Sequence, residues 1–165
     1  VWDRAIRQFA IDEGADAVIV HHPHIIQGVE IYNGKMIAHS LGNFIFDLNY
    51  PETYPSMILN AEAYESGFTG YSITPVYIDD YLTVPATGEL ANYILDYIAI
   101  RSRELGTYVH VNQESNRAIV VMDTLALFSQ ELDYIIWDPI WKETNLDGEP
   151  YFVSNPLSIP DAGCL

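Results

Sequence analysis

Residues 17–24 read Ala-Val-Ile-Val-His-His-Pro-His, and this stretch predicts both the fold class and the place of a functional site. The β-branched run Val18–Val20 is typical of a strand that is covered in a sheet. In an open α/β sheet, ligands bind outside the carboxyl ends of the strands, and here such an end meets three histidines. The stretch therefore predicts an α/β domain with a candidate metal site at the end of this strand.

The segments on either side of the strand agree with an α/β fold. Asn33-Gly34 lies between two apolar runs and predicts a type I′ hairpin over 28–39. A helix is predicted over 1–13, with Gly14 as its C-cap, because apolar residues recur there at helical spacing (Trp2, Ile6, Phe9 and Ala10). Helix followed by strand is half of a parallel β-α-β unit, so we expect its first strand to lie upstream of this sequence.

The remaining elements are predicted from apolar periodicity and from turn residues. They are an apolar strand opening 40–47, strands over 56–65, 71–78, 108–111 and 118–122, a helix over 88–105 and a short helix over 123–134. Beyond Asp138 the character changes, because Pro139, Pro150, Pro156 and Pro160 fall close together. We therefore expect one globular part over 1–137 and an extended tail or linker over 138–165.

Charge and cysteine content exclude several classes of protein. Seven Lys and Arg stand against 23 Asp and Glu, a formal net charge of −16, which disfavours nucleic-acid binding. An anionic polymer would also be repelled unless a bound cation inverts the local potential. Cys164 is the single cysteine, so no disulfide within the chain and no thiolate zinc site can form. No stretch is long and apolar enough to predict a transmembrane segment.

His22 and His24 are the candidate metal ligands. In an extended segment, side chains two apart leave the same face with Cα atoms roughly 6.5–7 Å apart, and Pro23 stiffens the spacer. Such imidazoles reach one ion, or two ions about 3.5–4 Å apart. The alternative is a pair of loop histidines satisfied by hydrogen bonds. His21 should point the other way, which favours second-shell hydrogen bonding or packing. His39 and His110 are interpreted as core or surface histidines.

Two segments together resemble a known family. Residues 14–35, from Gly14 through the His-His-Pro-His run to Lys35, are followed by Ser-Leu-Gly-Asn-Phe-Ile-Phe-Asp at 40–47. Both resemble the bacterial capsule-synthesis or poly-γ-glutamate synthesis proteins, called CapA-type, of the calcineurin-like metallophosphoesterase superfamily. The resemblance is dense over residues 1–48 and weaker from 49 to about 122. Position 20 departs from it, with Val where the family usually has Gly.

The resemblance implies a fold and a site. The full fold would be a four-layer α/β/β/α metallo-dependent phosphatase-like sandwich, of which this chain supplies the C-terminal half. His22 and His24 would each bind a different metal of a pair of Mn, Fe or Zn type. Asn43 and Asp47 are expected to orient the site and not to ligate, the alternative being polar residues that cap the loop; His21 is expected in the same supporting role from its position. The family's Asp-x-His, Gly-Asp and Asn-His motifs are missing, so we expect the N-terminal half of the domain to supply them and the chain alone to be inactive.

The same resemblance implies a phosphoester substrate, or a role in synthesis or export of an anionic polymer, on the extracellular or cell-envelope side of a bacterium. The protein would be secreted, or anchored in the membrane through its N-terminal part. Two alternatives stay open. One is a surface scaffold that keeps the fold without the chemistry. The other is a polymer-binding module, for which a groove lined by Tyr50, Tyr54 or Tyr81 would be evidence.

Overall fold

A computed structural model describes residues 2–122, 141–144 and 150–153 of the chain, with side chains described within 3–122. The chain divides into two compact units, Val1–Leu127 and Phe128–Leu165. In the second unit, β9 (Trp141–Thr144) and β10 (Pro150–Val153) pair antiparallel. The predicted helix over 123–134 lies outside the described residues. The predicted boundary between a globular part and a tail at 137 stays a prediction.

The first unit opens with the predicted helix and strand. Helix α1 spans Trp2–Asp12 and strand β1 spans Ala17–Ile19. Gly14 adopts a φ of +109°, and Ala15 N–H donates to Ala10 O at 3.0 Å, which closes the helix as the predicted C-cap. The short turn then carries the chain back along the helix, so that β1 lies beside it.

The predicted hairpin forms β2 (Val29–Tyr32) and β3 (Lys35–Ala38) around the Asn33-Gly34 turn. Both turn residues have positive φ, 50° and 74°, as a type I′ turn requires. Strand β3 lies in the middle of a three-stranded sheet, antiparallel to β2 and parallel to β1. The chain between β1 and β3 contains β2 and no helix, so this parallel pair is not the predicted β-α-β unit, which stays a prediction.

The second sheet is antiparallel, with order β4-β5-β8-β7 and with β6 added to β5. Helix α2 precedes its last two strands and shares a core with both sheets, which contains Val29, Met36, Ile73 and Ile98. The bounds are β4 (Pro55–Tyr64), β5 (Gly67–Asp79), β6 (Leu82–Pro85), α2 (Gly88–Glu104), β7 (Val109–Asn112) and β8 (Arg117–Val120), with a 3₁₀ turn at Pro51–Thr53.

These elements confirm the predicted α/β class, with mixed sheets and two helices in the part of the chain that the structure describes. The four-layer sandwich and the half-domain remain predictions. Strand β6 was not predicted. Over the described residues no helix combines the length and the apolar character needed to cross a bilayer.

The predicted apolar strand within 40–47 was wrong. Leu41 makes only an isolated bridge, and the segment after it bends away from the sheet, leaving Phe44, Ile45 and Phe46 exposed. The cause is the start of β4. Ser56 Oγ lies within hydrogen-bonding distance of Leu41 O and Asn43 O, and Met57 N–H donates to Leu41 O at 3.2 Å, so these carbonyls bind the start of β4.

Candidate metal centre

The pairing of β2 with β3 continues beyond both strands and reaches the histidine loop. His39 N–H donates to Gly28 O at 3.2 Å, and Gln27 N–H donates to Ser40 O at 3.0 Å. A bridge between Ile26 and Leu41 follows in the same antiparallel register. We call residues 24–43 the extended hairpin. At its open end, His24 and Asn43 stand at equal distances along the chain from the turn, and they therefore meet.

The His24 ring is held on two sides. Its Nδ1–H donates to Oδ1 of Asn43 at 2.7 Å, and its centroid lies 4.7 Å from that of Phe46, with the rings tilted by 43°. Asn43 is itself buried, and its backbone carbonyl is bound by Ser56. A hydrogen bond at Nδ1 fixes the tautomer, which leaves the Nε2 lone pair of His24 for another partner.

The backbone of the histidine loop is strained. His22 has a φ of 104° and His24 a φ of 63°, a region that side chains other than glycine rarely occupy. The chain bends over 22–25, so the expectation of an extended His-Pro-His segment was wrong. Residues in such conformations cost on the order of 1–3 kcal/mol each and cluster at functional sites. His22 presents an exposed side chain and His24 a half-buried one.

The other predicted site residues lie on the same two segments. His21 is exposed, and its Nδ1–H points to Gly42 O at 3.4 Å, a long contact. Asp47 is exposed beyond Phe46. Among the described residues, no three His, Cys, Asp or Glu side chains gather closely enough to hold a metal ion. The structure thus brings Asn43 to His24, but Asp47 does not complete a ligand set with the two histidines.

Two residues with notable contacts, Phe46 and Glu30, were not predicted as site residues from the sequence. Phe46 was read as part of a strand, and only the bend after Gly42 turns its ring to His24. Glu30 was not singled out, although a carboxylate inside an apolar strand pattern is a signal of a buried polar cluster. His39 is buried as a core histidine against Glu30, at 2.9 Å between Nε2 and Oε2.

Glu30 is the centre of that buried cluster. Arg4 donates to both of its carboxylate oxygens, with Nη2–Oε1 at 2.8 Å, and Gln8 Nε2 donates to Oε1 at 2.6 Å. Burial by itself raises the pKa of Glu30, but the hydrogen bonds from Arg4, Gln8 and His39 outweigh burial and hold its pKa below the ordinary value. We call Arg4, Arg7, Gln8, Glu30 and His39 the buried cluster after its two buried members, Glu30 and His39; Arg4 is exposed, and Arg7 and Gln8 are half-buried.

The tyrosines considered for polymer binding differ in their surroundings. Tyr50 and Tyr81 are exposed. Tyr54 is half-buried and packs edge-to-face on Tyr77, with ring centroids 5.7 Å apart. Packing of this kind is typical of a structural aromatic pair. Tyr54 is therefore held by its neighbour within the fold.

Comparison with known proteins identifies relatives of the segment that carries the histidine loop. Residues 1–48 match the family described as bacterial capsule synthesis protein PGA_cap. The PGA biosynthesis protein CapA of Bacillus subtilis (strain 168) is 34% identical over 82 residues, which are 50% of this chain and 22% of that protein. The capsule biosynthesis protein CapA of Bacillus anthracis is 31% identical over 86 residues, 52% of this chain and 21% of that protein.

A shorter and more similar match is found in the uncharacterized protein y4sH of Sinorhizobium fredii (strain NBRC 101917 / NGR234). It is 46% identical over 46 residues, 28% of this chain and 10% of that protein. The matches to the two Bacillus proteins span about a fifth of their length. The resemblance predicted from residues 14–47 is thereby confirmed: the N-terminal segment of the chain is similar to CapA-type bacterial capsule synthesis proteins.

Proposed function

We propose that the His-Pro-His loop forms one side of a divalent metal site in a protein of capsule or poly-γ-glutamate biosynthesis. One observation carries the proposal. His24 is oriented through Nδ1 by the buried Asn43, so that its Nε2 is available as a ligand. Histidines that bind metals almost always donate their other ring N–H to a fixed acceptor, which sets the tautomer and the ring orientation.

The backbone supports the same assignment. His22 and His24, on either side of Pro23, are both held at positive φ, which costs free energy. Glycine or asparagine at these positions would avoid much of that cost. Pro23 lies between them and fixes the intervening φ. The loop is thus shaped for its two imidazoles, which are ligands suited to Mn, Fe and Zn.

The donor set is chemically suitable but incomplete. His22 and His24 would hold one or two ions, and hydrolytic sites need further ligands and a position for water. We propose that these ligands, carboxylates among them, come from the part of the CapA-type domain that lies outside this chain, within a four-layer α/β/β/α sandwich. A bound pair of ions would supply an activated water and polarise a phosphoryl oxygen. Asn43, with Asp47 and His21 nearby, would orient the ligands.

The proposed substrate is a phosphoester or an anionic polymer of the cell envelope. With a net charge of −16, the chain repels anions, and a cation beside the histidine loop would reverse that repulsion locally. Capsule and PGA biosynthesis are named in the descriptions of the Bacillus relatives. We propose that the protein acts on the extracellular or cell-envelope side of the bacterium, close to the synthesis or export of such a polymer.

The test uses the intact polypeptide that contains this sequence, with Mn²⁺ or Zn²⁺ as the probe. Metal at about one hundred times its Kd should stabilise the folded protein by about 2.7 kcal/mol. His22→Ala and His24→Ala should lose most of this shift in Tm. His110→Ala is the matched control, because His110 is an exposed histidine on β7. Equal shifts in all four proteins would overturn the ligand assignment.

Hydrolysis of an aryl phosphate with added Mn²⁺ then separates a metalloenzyme from a surface scaffold. A metal-dependent rate that falls in His24→Ala, but not in His110→Ala, supports a phosphoesterase. Metal binding without hydrolysis would overturn the phosphoesterase proposal and leave a metal-binding scaffold. Absence of both would favour the scaffold that keeps the fold without the chemistry.

A further inference from the structure

Helix α1 lies on the three-stranded sheet with its polar side inward. Ile6 and Phe9 are 64% and 61% exposed, whereas Arg7 and Gln8 are half-buried and reach the buried cluster. Among the described side chains of this helix, the large apolar residue that is buried is Ile11. Attachment of α1 therefore depends on polar contacts to an unusual degree, since little apolar area is removed from water.

The contacts of His39 define its protonation state. Arg7 Nη1 lies 2.6 Å from His39 Nδ1, and His39 Nε2 lies 2.9 Å from Glu30 Oε2. A guanidinium has only donors, so Nδ1 must be the unprotonated acceptor and Nε2–H must donate to the carboxylate. The imidazole is neutral, and it links a residue of α1 to a residue of β2.

We propose that neutral His39 binds Arg7 and so holds α1 on the sheet, and that protonation of His39 releases Arg7. We call this pH-sensitive contact the clasp. A proton on Nδ1 would set an N–H against the N–H of Arg7 at 2.6 Å, and the two groups would repel. The charged groups that face His39 are Arg4 and Arg7 of α1 and Glu30 of β2. Protonation would thus put three cations around one carboxylate.

The electrostatics agree with the geometry. Burial lowers the pKa of His39, and the guanidinium of Arg7 lowers it further, against the opposing effect of Glu30. The neutral form is therefore favoured in the folded state. Its contribution is fully present above the unfolded histidine pKa of about 6.5, and it is lost as pH falls from there through the folded pKa.

Hydrogen exchange of the α1 amides, corrected for the intrinsic rate at each pH, tests the clasp in the intact polypeptide. Protection of α1 should fall by up to about tenfold per pH unit below pH 6.5, the limit for one proton, while α2 changes less. Imidazole ¹⁵N shifts should show His39 with Nε2 protonated and Nδ1 bare at pH 7. An Nδ1-protonated tautomer would overturn the proposal.

Two variants isolate the effect. His39→Gln keeps a donor toward Glu30 but cannot titrate, so α1 should lose the pH dependence of its protection between pH 7 and 5. His110→Ala removes an exposed histidine and should retain that dependence. If His39→Gln fails to fold, Arg7→Gln serves instead, because it removes the repelling charge and should weaken the dependence. A pH dependence equal to wild type in the folded variant would refute the clasp.

Discussion

Gly28 lies where the extended hairpin passes the end of α2, and this contact leaves no room for a side chain. A Cβ at this position would lie 2.6 Å from the backbone carbon of Arg101 and 2.7 Å from the backbone nitrogen of Ser102. These are backbone atoms that cannot rotate aside, so the hairpin or the helix would have to move. The glycine thus allows the close approach that brings β2 under α2.

Gly28→Ala should therefore destabilise the protein by more than about 2 kcal/mol, as overpacking against fixed atoms does. Gly34→Ala is the control for the loss of glycine itself. Gly34 has a φ of +74° with open space around it, so its substitution should cost only about 1–2 kcal/mol of backbone strain. Urea unfolding at constant m-value measures both. Equal losses would mean that the contact at Gly28 relaxes freely.

Asn43 is the residue on which the orientation of His24 depends. Asn43→Ala removes the acceptor at 2.7 Å and frees the ring to rotate, so metal affinity of the intact polypeptide should fall by about 10–100-fold. Asn43→Asp retains an acceptor and should lose much less affinity. Titration calorimetry with Zn²⁺ compares the variants. An unchanged affinity in Asn43→Ala would show that the hydrogen bond does not orient a ligand.

The pairing of His24 with Asn43 could have been predicted from the sequence, whereas the shape of the loop could not. The Asn33-Gly34 turn fixes the antiparallel register, and that register places the two residues opposite each other. His22 precedes Pro23, and a residue before proline prefers extended backbone. Its positive φ runs against that preference, so local propensity does not predict it.

At the scale of elements, β2 is an edge strand whose N–H groups are bound by side chains of α2 and of the turn after it. Val29 N–H donates to Ser102 Oγ at 2.9 Å, and Ile31 N–H donates to Thr107 Oγ1 at 2.8 Å. Both hydroxyl residues are buried. Side chains thus complete an edge that would otherwise present unpaired donors.

Ser102→Ala should cost about 1–3 kcal/mol, because Val29 N–H would remain buried without an acceptor. Ser115→Ala is the matched control, since Ser115 is exposed and its hydroxyl makes only a long bond, 3.4 Å, to Asn112 O. Chemical denaturation gives both values. A loss at Ser102 no larger than that at Ser115 would mean that water replaces the hydroxyl.

Most element types in the described residues followed from local pattern, with the strand in 40–47 and strand β6 as exceptions, but the buried side of α1 did not. The spacing of Ile6 and Phe9 correctly predicted a helix, yet those residues face outward and the polar side lies on the sheet. The periodicity of apolar residues indicates that a helix has an apolar side and a polar side. The inward face of α1 contacts Glu30, which lies on β2 and far from the helix in sequence. The helical pattern alone therefore could not identify the buried face.

At the scale of the whole molecule, 23 acidic residues against seven basic ones make self-repulsion a general destabilising force. Salt screens this repulsion, since the Debye length falls from about 30 Å at 0.01 M to about 8 Å at 0.15 M. Raising KCl over this range should stabilise the protein by roughly 1 kcal/mol, or about 2–4 °C in Tm. A fall in Tm would show that attractive ion pairs dominate instead.

Acid stability is the second property that the whole charge distribution determines, and Glu30 should contribute to its loss below pH 4.5. Glu30→Gln should cost about 1–3 kcal/mol at pH 7, because Arg4 and Gln8 lose a charged acceptor. Asp16→Asn is the control, since Asp16 is exposed and its Oδ1 lies 3.5 Å from Lys35 Nζ, a surface pair worth at most about 1 kcal/mol.

The pKa of Glu30 is lowered in the folded state, so its contribution is present above the ordinary value of 4.5 and is lost as pH falls through the folded value. Unfolding free energies of wild type and Glu30→Gln should accordingly converge below pH 4.5. A difference that persists unchanged there would mean that the carboxylate is held by packing and not by its charge.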